Sequence, residues 1–314
     1  MKTIKKNIYT SLALCMSLAF FLSCSEIDNQ EIPIAKTAYE YFVEISGIPR
    51  CTGNEKAASN YLAEFGRVRG FEVFQDEMFN VLMRKNGSKG REHEPPIILQ
   101  AHIDMVCKKD NNVIHDFEKD PIIPVVNDDW ITAEKRTTLG ADNGGGLSMI
   151  MAVLASHHIS HPPIEALFTT QEETGLHGAD FFDVSLLNGQ RLINLDMIGE
   201  EAFVVSSKWD DGPDLVIPIL ARFALPDWPY KADSPLRDTM AEVFRSFYGK
   251  EPVLAGINNR VAGVECLVFA NKMPNADMIS IGVDIMDIHT PYERMSLSSL
   301  NRVYDYLVQV LEVL

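Results

Sequence analysis

A histidine and an aspartate stand together directly after an apolar stretch in the first half of the chain. Residues 97–101 are apolar apart from one glutamine, which is typical of a buried strand, and His102 and Asp104 follow at once. Residues two positions apart on an extended chain point to the same face, so the imidazole and the carboxylate are expected side by side. Open α/β sheets form their sites at strand ends, although an isolated pair of this kind is more often a strand-end histidine beside a solvated aspartate.

Other acidic residues and a second histidine occupy the same kind of position, soon after an apolar segment that predicts a strand. They are Glu172, Glu173, Asp196 and His289. Two neighbouring carboxylates such as Glu172 and Glu173 are costly if both are buried without a partner, so in isolation they are interpreted as solvated. Beside a metal ion the cost reverses, because one carboxylate can bind the ion while the other takes up a proton.

Asp142 lies in a glycine-rich segment, residues 137–146, with the sequence TTLGADNGGG. Glycines at this density are typical of a tight turn or of close backbone approach. Two interpretations of Asp142 are open: it caps the helix predicted over 147–156, or it belongs to a site at the sheet edge. Phosphate binding is disfavoured, because the sequence contains neither GxGxxG nor GK[ST] and a carboxylate here would repel phosphate.

Imidazole and carboxylate groups gathered at one sheet edge are ligand types that zinc takes in proteins. Two metal ions about 3.5–4 Å apart need a shared carboxylate to screen their repulsion, and this set of acidic residues has one to spare. Such a pair lowers the pKa of a bound water toward about 7, and a carboxylate outside the ligand set can pass the water's proton to a leaving amine. The residues therefore favour metal-assisted hydrolysis.

The alternation of strands, glycine turns and helices predicts the elements that position these residues. It favours an α/β fold with a mainly parallel, twisted sheet covered by helices on both faces. Residues 108–129 are predicted to be largely irregular, and residues 207–230 contain too many prolines for a long helix. Helices are predicted over 34–45, 54–69, 147–156, 235–248, 261–271 and 296–310.

The charge balance excludes one class of partner. The chain has 314 residues with 28 Lys and Arg against 44 Asp and Glu, a net charge of −16. Nucleic-acid binding needs a basic surface, so no nucleic-acid partner is expected. An acidic balance fits a secreted protein or a site that concentrates cations.

The amino-terminal residues have the pattern of an export signal. Three lysines precede an apolar run that is too short to span a membrane, and FLSC at positions 21–24 resembles a bacterial lipobox. We therefore predict a signal peptide over 1–23, a tether over 24–33 and a single catalytic domain over 34–314. The protein is expected to be exported and anchored to the bacterial cell envelope by a lipid on Cys24, its one membrane contact. Simple cleavage without lipid is the alternative.

Three cysteines lie in the predicted domain: Cys51, Cys107 and Cys266. Their odd number and scattered spacing indicate neither a disulfide framework nor a metal-binding pair. They are interpreted as small buried apolar residues.

The motifs together resemble those of the M20 metallopeptidases. The segments LQAHIDMV, TTLGADNG, TQEETG, LINLD, AGVEC, SIG and HTP occur in this order. Within the family, the similarity is to the aminoacyl-histidine dipeptidase group, also called cytosol non-specific dipeptidase, and covers roughly 35–200 and 230–314. The resemblance implies a zinc-peptidase-like catalytic domain.

The resemblance also implies a ligand set for two zinc ions, with manganese or cobalt as possible substitutes. His102 and Asp196 would hold one ion, Glu173 and His289 the other, and Asp142 would bridge both.

Two further roles follow from the same resemblance. Asp104 would orient the His102 ring through its second nitrogen. Glu172 would be the general base. The implied substrates are dipeptides.

The chain departs from the family in three places. Only 93 positions separate Asp196 from His289, which leaves no room for the inserted lid domain of relatives. Val261 stands where relatives tend to have histidine, and Arg136 replaces a usual glycine. Without a lid the cleft is expected to be open to longer peptides and the protein to be a monomer.

Three hypotheses follow. The first is a di-zinc peptidase that cleaves dipeptides, of the Xaa-His type or of broad specificity, or the amino-terminal bond of short peptides. The second is a catalytically weak or inactive lid-less homologue that acts as an exported peptide-binding protein; the retained Glu172 argues against it. The third is the product of an internally deleted gene.

Overall fold

The structure is a computed structural model that describes residues 36–208, 227–258 and 264–314. The predicted signal peptide, Cys24 and the tether lie outside these residues, as do Val261 and most of the proline-rich stretch. The described residues belong to one compact unit.

The main sheet places the carboxyl ends of its central strands at one edge. Within the described residues it has eight strands, in the order β1-β2-β6-β3-β7-β10-β8-β9. Parallel pairing joins β3 to β6 and β7, β7 to β10, and β8 to β9. Antiparallel pairing joins β2 to β1 and β6, and β8 to β10. The strands are β1 (Glu72–Gln75), β2 (Val81–Lys85), β3 (Ile97–His102), β6 (Ile164–Thr169), β7 (Arg191–Ile198), β8 (Ala202–Lys208), β9 (Val253–Asn258) and β10 (Asp277–Val283). The predicted α/β class with a mostly parallel sheet is confirmed.

Helices cover both faces of this sheet. They are α1 (Ala38–Ser46), α2 (Lys56–Arg67), α3 (Ala141–Ala155), α4 (His177–Phe181), α5 (Pro235–Tyr248), α6 (Cys266–Lys272) and α7 (Leu297–Val313). One apolar core holds side chains from α1, α2, α3, α5 and α7, and the other holds side chains from α4 and α6. Neighbouring residues of β3 alternate between the two cores, with Leu99 in the first and Ile98 in the second, because strand side chains alternate between faces.

The ends of α5 and the start of α7 agree with the predicted ranges 235–248 and 296–310. The Ser234 side chain accepts a hydrogen bond from the Arg237 N–H at the start of α5, and Pro235 occupies its first turn. Gly249 ends this helix with a φ of 69°, a left-handed conformation that glycine adopts without steric cost. Ser296 caps α7 in the same way as Ser234 caps α5.

A second, smaller sheet was not predicted. It is antiparallel, in the order β11-β12-β5-β4. Its strands are β4 (Pro124–Asn127), β5 (Trp130–Ala133), β11 (Ile285–Met286) and β12 (Arg294–Ser296). Within the segment 108–129, predicted to be largely irregular, β4 is a short, partly exposed strand that pairs with β5. The loop between β11 and β12 carries His289.

The interpretation of the cysteines is wrong for two of the three. Cys51 and Cys107 form a disulfide, with 5.6 Å between their Cα atoms. They meet because Cys51 pairs with Met105 in a β-bridge, a contact between distant segments that residue spacing does not reveal. Cys266 is buried and free, as expected.

The described residues between Asp196 and His289 contain no separate lid domain. Strands β8, β9 and β10 extend the main sheet, and α5 and α6 pack on its faces. Within the same described ranges, no helix is long and apolar enough to cross a membrane.

Candidate metal centre

Strand ends, one helix start and one loop bring the predicted residues together. His102 ends β3, Asp196 lies near the end of the neighbouring β7, and Asp142 lies at the start of α3. Glu172 and Glu173 form the turn after β6, so all these segments open toward the same sheet edge.

The first group of donor atoms centres on His102. Its Nε2 atom lies 3.2 Å from Oδ1 of Asp142 and 3.3 Å from Oδ1 of Asp196. The three side chains are largely buried, with His102 only 1% and Asp196 6% exposed. The Nδ1 atom of His102 lies 3.0 Å from the backbone oxygen of Asp104. Because Nδ1–H donates there, Nε2 faces the two carboxylates.

The second group centres on His289. Its Nε2 atom lies 3.2 Å from Oδ2 of Asp142 and 3.0 Å from Oε2 of Glu173. The two oxygens of Asp142 therefore face different histidines. Asp142 is the member shared by the two groups.

These residues fit divalent cations. Tetrahedral zinc with bonds of about 2.0–2.1 Å places neighbouring ligand atoms about 3.3 Å apart, close to the separations in both groups. Acceptor atoms that face one another at this distance need a proton or a cation between them. Two histidine nitrogens with several carboxylate oxygens make up the mixed donor set of such ions.

The pKa values show how the cluster behaves without an ion. Burial alone would lower the pKa of His102, but the carboxylates of Asp196, Asp104 and Asp142 raise it well above its usual value. Hydrogen bonds to Asp142 and Glu173 raise the pKa of His289 to about 10. Burial raises the pKa of Asp196 to about 7, although His102 opposes the shift. The metal-free cluster therefore retains protons that a cation would displace.

Asp104 connects His102 to the turn that carries the two glutamates. Its carboxylate accepts hydrogen bonds from the N–H groups of Glu172 (3.0 Å) and Glu173 (3.3 Å) and from the Thr52 hydroxyl (2.8 Å). The carboxylate oxygen Oδ1 lies 3.5 Å from Nδ1 of His102, farther than the Asp104 backbone oxygen. The backbone of Asp104 thus contacts the ring directly, and its carboxylate holds the following turn.

Glu172 lies at the edge of the first group. Its Oε2 atom is 4.0 Å from Nε2 of His102, and its side chain is 10% exposed. Burial raises the pKa of Glu172 well above its usual value, and the charges of Asp196 and Glu173 add to the shift. A carboxyl group with a raised pKa beside the donor cluster can exchange protons with a bound molecule.

One site residue and the residue before another adopt sparsely populated backbone conformations. His289 has a φ of 60° and Gln171, before Glu172, a φ of 51°. Such conformations cost free energy and cluster at functional sites. The peptide bond between Asp142 and Asn143 is cis.

The interpretation of Asp142 as a helix cap is wrong. Asp142 has non-helical angles and its oxygens face His102 and His289, whereas Oδ1 of Asn143 accepts from the Gly146 N–H at 3.1 Å. The backbone N–H groups of residues 139–142 donate to Glu293, which the sequence analysis missed together with Arg50. The sequence signal for Glu293 was its acidic side chain close after His289, and no pattern indicated Arg50.

Known peptidases share parts of this sequence. The chain is 40% identical over 158 residues to the cytosol non-specific dipeptidase of Escherichia coli (strain K12), covering 50% of this chain and 32% of that protein. It is 33% identical over 99 residues to peptidase T of Clostridium novyi (strain NT), covering 30% of this chain and 24% of that protein. The chain thus spans a third or less of the length of these two relatives.

Solved structures share the fold. The aminoacylhistidine dipeptidase from Vibrio alginolyticus matches with a TM-score of 0.79 and 21% identity, over 88% of this chain and 96% of that one. A tripeptidase from Staphylococcus aureus subsp. aureus Mu50 matches with a TM-score of 0.72 and 18% identity, over 90% of this chain and 99% of that one.

The prediction of an exported lipoprotein anchored through Cys24 is wrong. The E. coli relative is named a cytosol dipeptidase, and several further relatives are named peptidase T. The export prediction was based only on a short compositional pattern, a basic start followed by an apolar run. It took no account of the folded domain.

The sequence model of peptidase family M20/M25/M40 matches residues 98–313, a range that contains all seven predicted site residues. Because this match covers well over half of the chain, the protein belongs to peptidase family M20/M25/M40.

Proposed function

We propose that this protein is a two-metal peptidase that hydrolyses dipeptides or the amino-terminal bond of short peptides, with its catalytic domain over 34–314. The observation that carries the proposal is the shared carboxylate of Asp142, whose oxygens lie 3.2 Å from Nε2 of His102 and of His289. A carboxylate between two histidine–carboxylate groups suits a pair of cations. In this proposal His102 and Asp196 hold one ion, and Glu173 and His289 hold the other.

The donor set favours zinc, with manganese or cobalt as alternatives. Histidine nitrogen and carboxylate oxygen both bind zinc, whereas calcium and magnesium prefer oxygen alone. Bound ions would supply a Lewis acid for the scissile carbonyl and lower the pKa of the attacking water.

Glu172 is the proposed general base. It takes the proton of the attacking water and passes it to the leaving amine, so the peptide bond breaks to a free carboxylate and a free amine. Its position beside His102 and its raised pKa support this role. Asp104 holds the backbone N–H of Glu172 and keeps the base next to the ligands.

The names of relatives support a short peptide as substrate. They include a dipeptidase, an aminoacylhistidine dipeptidase and a tripeptidase. His289 is 38% exposed, so one side of the centre is open, and the described residues contain no lid. We therefore expect tripeptides to be accepted beside dipeptides, and a monomer in solution. The alternative of an exported peptide-binding protein has no support among these relatives.

The test is turnover by Glu172→Ala. Purified protein is loaded with Zn²⁺, and its metal content and its hydrolysis of Xaa-His dipeptides, other dipeptides and tripeptides are measured. We expect two ions per chain, hydrolysis by the native protein, and loss of turnover without loss of metal in the variant. Glu242→Ala, at an exposed position of α5, is the control and should keep full activity. Absence of turnover by native protein that binds two zinc ions would refute the proposal.

A further inference from the structure

The Glu293 carboxylate accepts hydrogen bonds from the backbone that carries Asp142. Glu293 is 3% exposed, and its Oε2 accepts hydrogen bonds from the N–H groups of Leu139 (2.8 Å) and Gly140 (2.9 Å). Its Oε1 accepts from Ala141 (2.8 Å) and Asp142 (3.2 Å). N–H groups at a helix start lack partners within the helix and attract an anion. Here one carboxylate satisfies two of them, on Ala141 and Asp142, together with the N–H groups of the two residues that precede α3.

Arg50 holds the same segment by its carbonyl side. The guanidinium is 1% exposed and donates to the backbone oxygens of Gly140 (2.6 Å), Ile103 (2.9 Å) and Asp104 (3.3 Å). A single buried cation thus connects the end of β3, next to His102, with the start of α3. Glycine is required at 140, because a Cβ atom there would lie 2.6 Å from the Arg50 guanidinium and the φ is +72°.

These contacts determine where the shared carboxylate points. Asp142 and Asn143 have non-helical backbone angles, so helical hydrogen bonding does not position them. The oxygens of Asp142 must still reach two histidines at 3.2 Å each. A displacement of the 139–142 backbone would lengthen one of these separations as it shortened the other.

Glu293 also connects the two histidine groups. It follows His289 in the loop between β11 and β12, so that one loop supplies a donor of the second group and the carboxylate that holds the shared residue. We infer that Glu293 and Arg50 are positioning residues that set Asp142 between two cations, and that Glu293 couples the placement of His289 to that of Asp142. This inference rests on the proposed two-metal function.

Glu293→Gln is the direct test. Glutamine keeps the shape, but its amide NH₂ would face two of the four backbone N–H donors, which repel it. We expect the second ion to bind at least tenfold more weakly and the exchange coupling between two bound Mn²⁺ ions, measured by electron paramagnetic resonance, to be lost. Turnover should fall at least 100-fold in kcat, with KM changed less than threefold.

Asp129→Asn is the matched control. The Asp129 carboxylate also serves a helix start, accepting from the Ser298 N–H (2.9 Å) and from the Ser296 and Ser298 hydroxyls at α7. Asp129→Asn should lower the thermal midpoint of the protein as Glu293→Gln does, but it should leave metal affinity and exchange coupling unchanged. A merely structural role of Glu293 would make the two variants alike.

The outcomes separate the inference from the function on which it rests. If native protein binds fewer than two Mn²⁺ ions, the two-metal proposal fails first. If native protein binds two coupled ions and Glu293→Gln does so with equal affinity, the inference is wrong. Should Glu293→Gln not fold, Arg50→Lys takes its place, because an ammonium group cannot reach the same three carbonyls in the fork geometry of a guanidinium; unchanged coupling there would also overturn the inference.

Discussion

The two halves of the candidate centre are built differently. His102 and Asp196 lie on neighbouring central strands of the main sheet, and both are nearly inaccessible. His289 lies on a loop with a φ of 60° between two very short strands, and its side chain is 38% exposed. One half is positioned by strand pairing, and the other by a loop.

The half formed by His102 and Asp196, here called the strand half, has additional hydrogen bonds beneath it. Asn194, two residues before Asp196, donates to the Gln100 side chain (2.6 Å), and Gln100 lies two residues before His102. Gln100 also donates to Glu265, which accepts from the Thr169 hydroxyl at 2.7 Å. This buried chain of hydrogen bonds crosses the strands just below the donor atoms, so a shift of either strand would leave polar groups without partners.

The comparison indicates that preorganisation differs between the two cation positions. A site fixed by a sheet needs little ordering when an ion binds, whereas a loop must hold a sparsely populated conformation. We therefore expect the ion at His102 to bind tightly and the ion at His289 to exchange.

The largest expected effect comes from removing each histidine in turn. His289→Ala should keep one tightly bound ion and lose the other, while His102→Ala should lose the tight ion. Both losses should exceed the tenfold to 100-fold weakening that removal of a residue behind a ligand causes. Metal content after dialysis and titration with a chelator measure the difference.

The reciprocal outcome would break the comparison. If His289→Ala removes the tightly bound ion and His102→Ala the exchangeable one, preorganisation by strands does not set affinity here. His158→Ala, an exposed histidine after α3, is a control that should retain both ions.

The same contrast explains how much could be predicted from the sequence. The clustering of His102 with Asp196 follows from two apolar strands with polar residues at their ends, because parallel strands meet at one edge. For His289 the sequence predicted a position soon after an apolar segment, but not the loop between β11 and β12, since these two strands are too short to show a periodic pattern. The metal-binding and catalytic roles assigned to these residues stay predictions.

Contacts that do not depend on strand ends could not be predicted. Glu293 binds the backbone of 139–142, and Arg50 reaches the Gly140 carbonyl across 90 positions of sequence. Neither contact produces a local sequence pattern, because the partner is a backbone N–H or carbonyl group, which does not depend on the residue type. Cys51 and Cys107 pair for the same reason, through a β-bridge that spacing rules do not describe.

A smaller effect is expected from Asp104→Asn, which tests the support behind the strand half. The asparagine oxygen can still accept from the Glu172 N–H, but its amide NH₂ would face the Thr52 hydroxyl or the Glu173 N–H. We expect affinity for the first ion to fall about tenfold to 100-fold.

Thr52→Val provides a milder change for comparison with Asp104→Asn. It removes the 2.8 Å hydroxyl donor without changing charge, so its effect on metal affinity should be less than that of Asp104→Asn. Competition between Zn²⁺ and a fluorescent chelator measures both variants. Equal affinity in native protein and Asp104→Asn would show that the Asp104 backbone oxygen alone orients His102.

The smallest expected effect is a pH dependence of the stabilisation by metal. In the metal-free protein the pKa of His289 is about 10 and that of Asp196 about 7, both above their usual values near 6.5 and 3.9. A pKa that is raised by folding stabilises the folded state fully below the unfolded value, and this contribution is lost as pH rises through the folded value. The metal-free protein should therefore lose stability between pH 5 and 9, first through Asp196 and then through His289.

Cations reverse this dependence, because they replace the protons between the same atoms and bind better as protons leave. The thermal midpoint of zinc-loaded protein minus that of metal-free protein should thus increase from pH 5 to pH 9. At about 2–4 °C per kcal/mol for a domain of comparable size, differential scanning fluorimetry resolves the change. His289→Ala should reduce the increase above pH 7, where His102 with its raised pKa still contributes, and leave the part below it, because Asp196 belongs to the other half. A metal-induced shift that falls as pH rises would contradict proton displacement at either histidine.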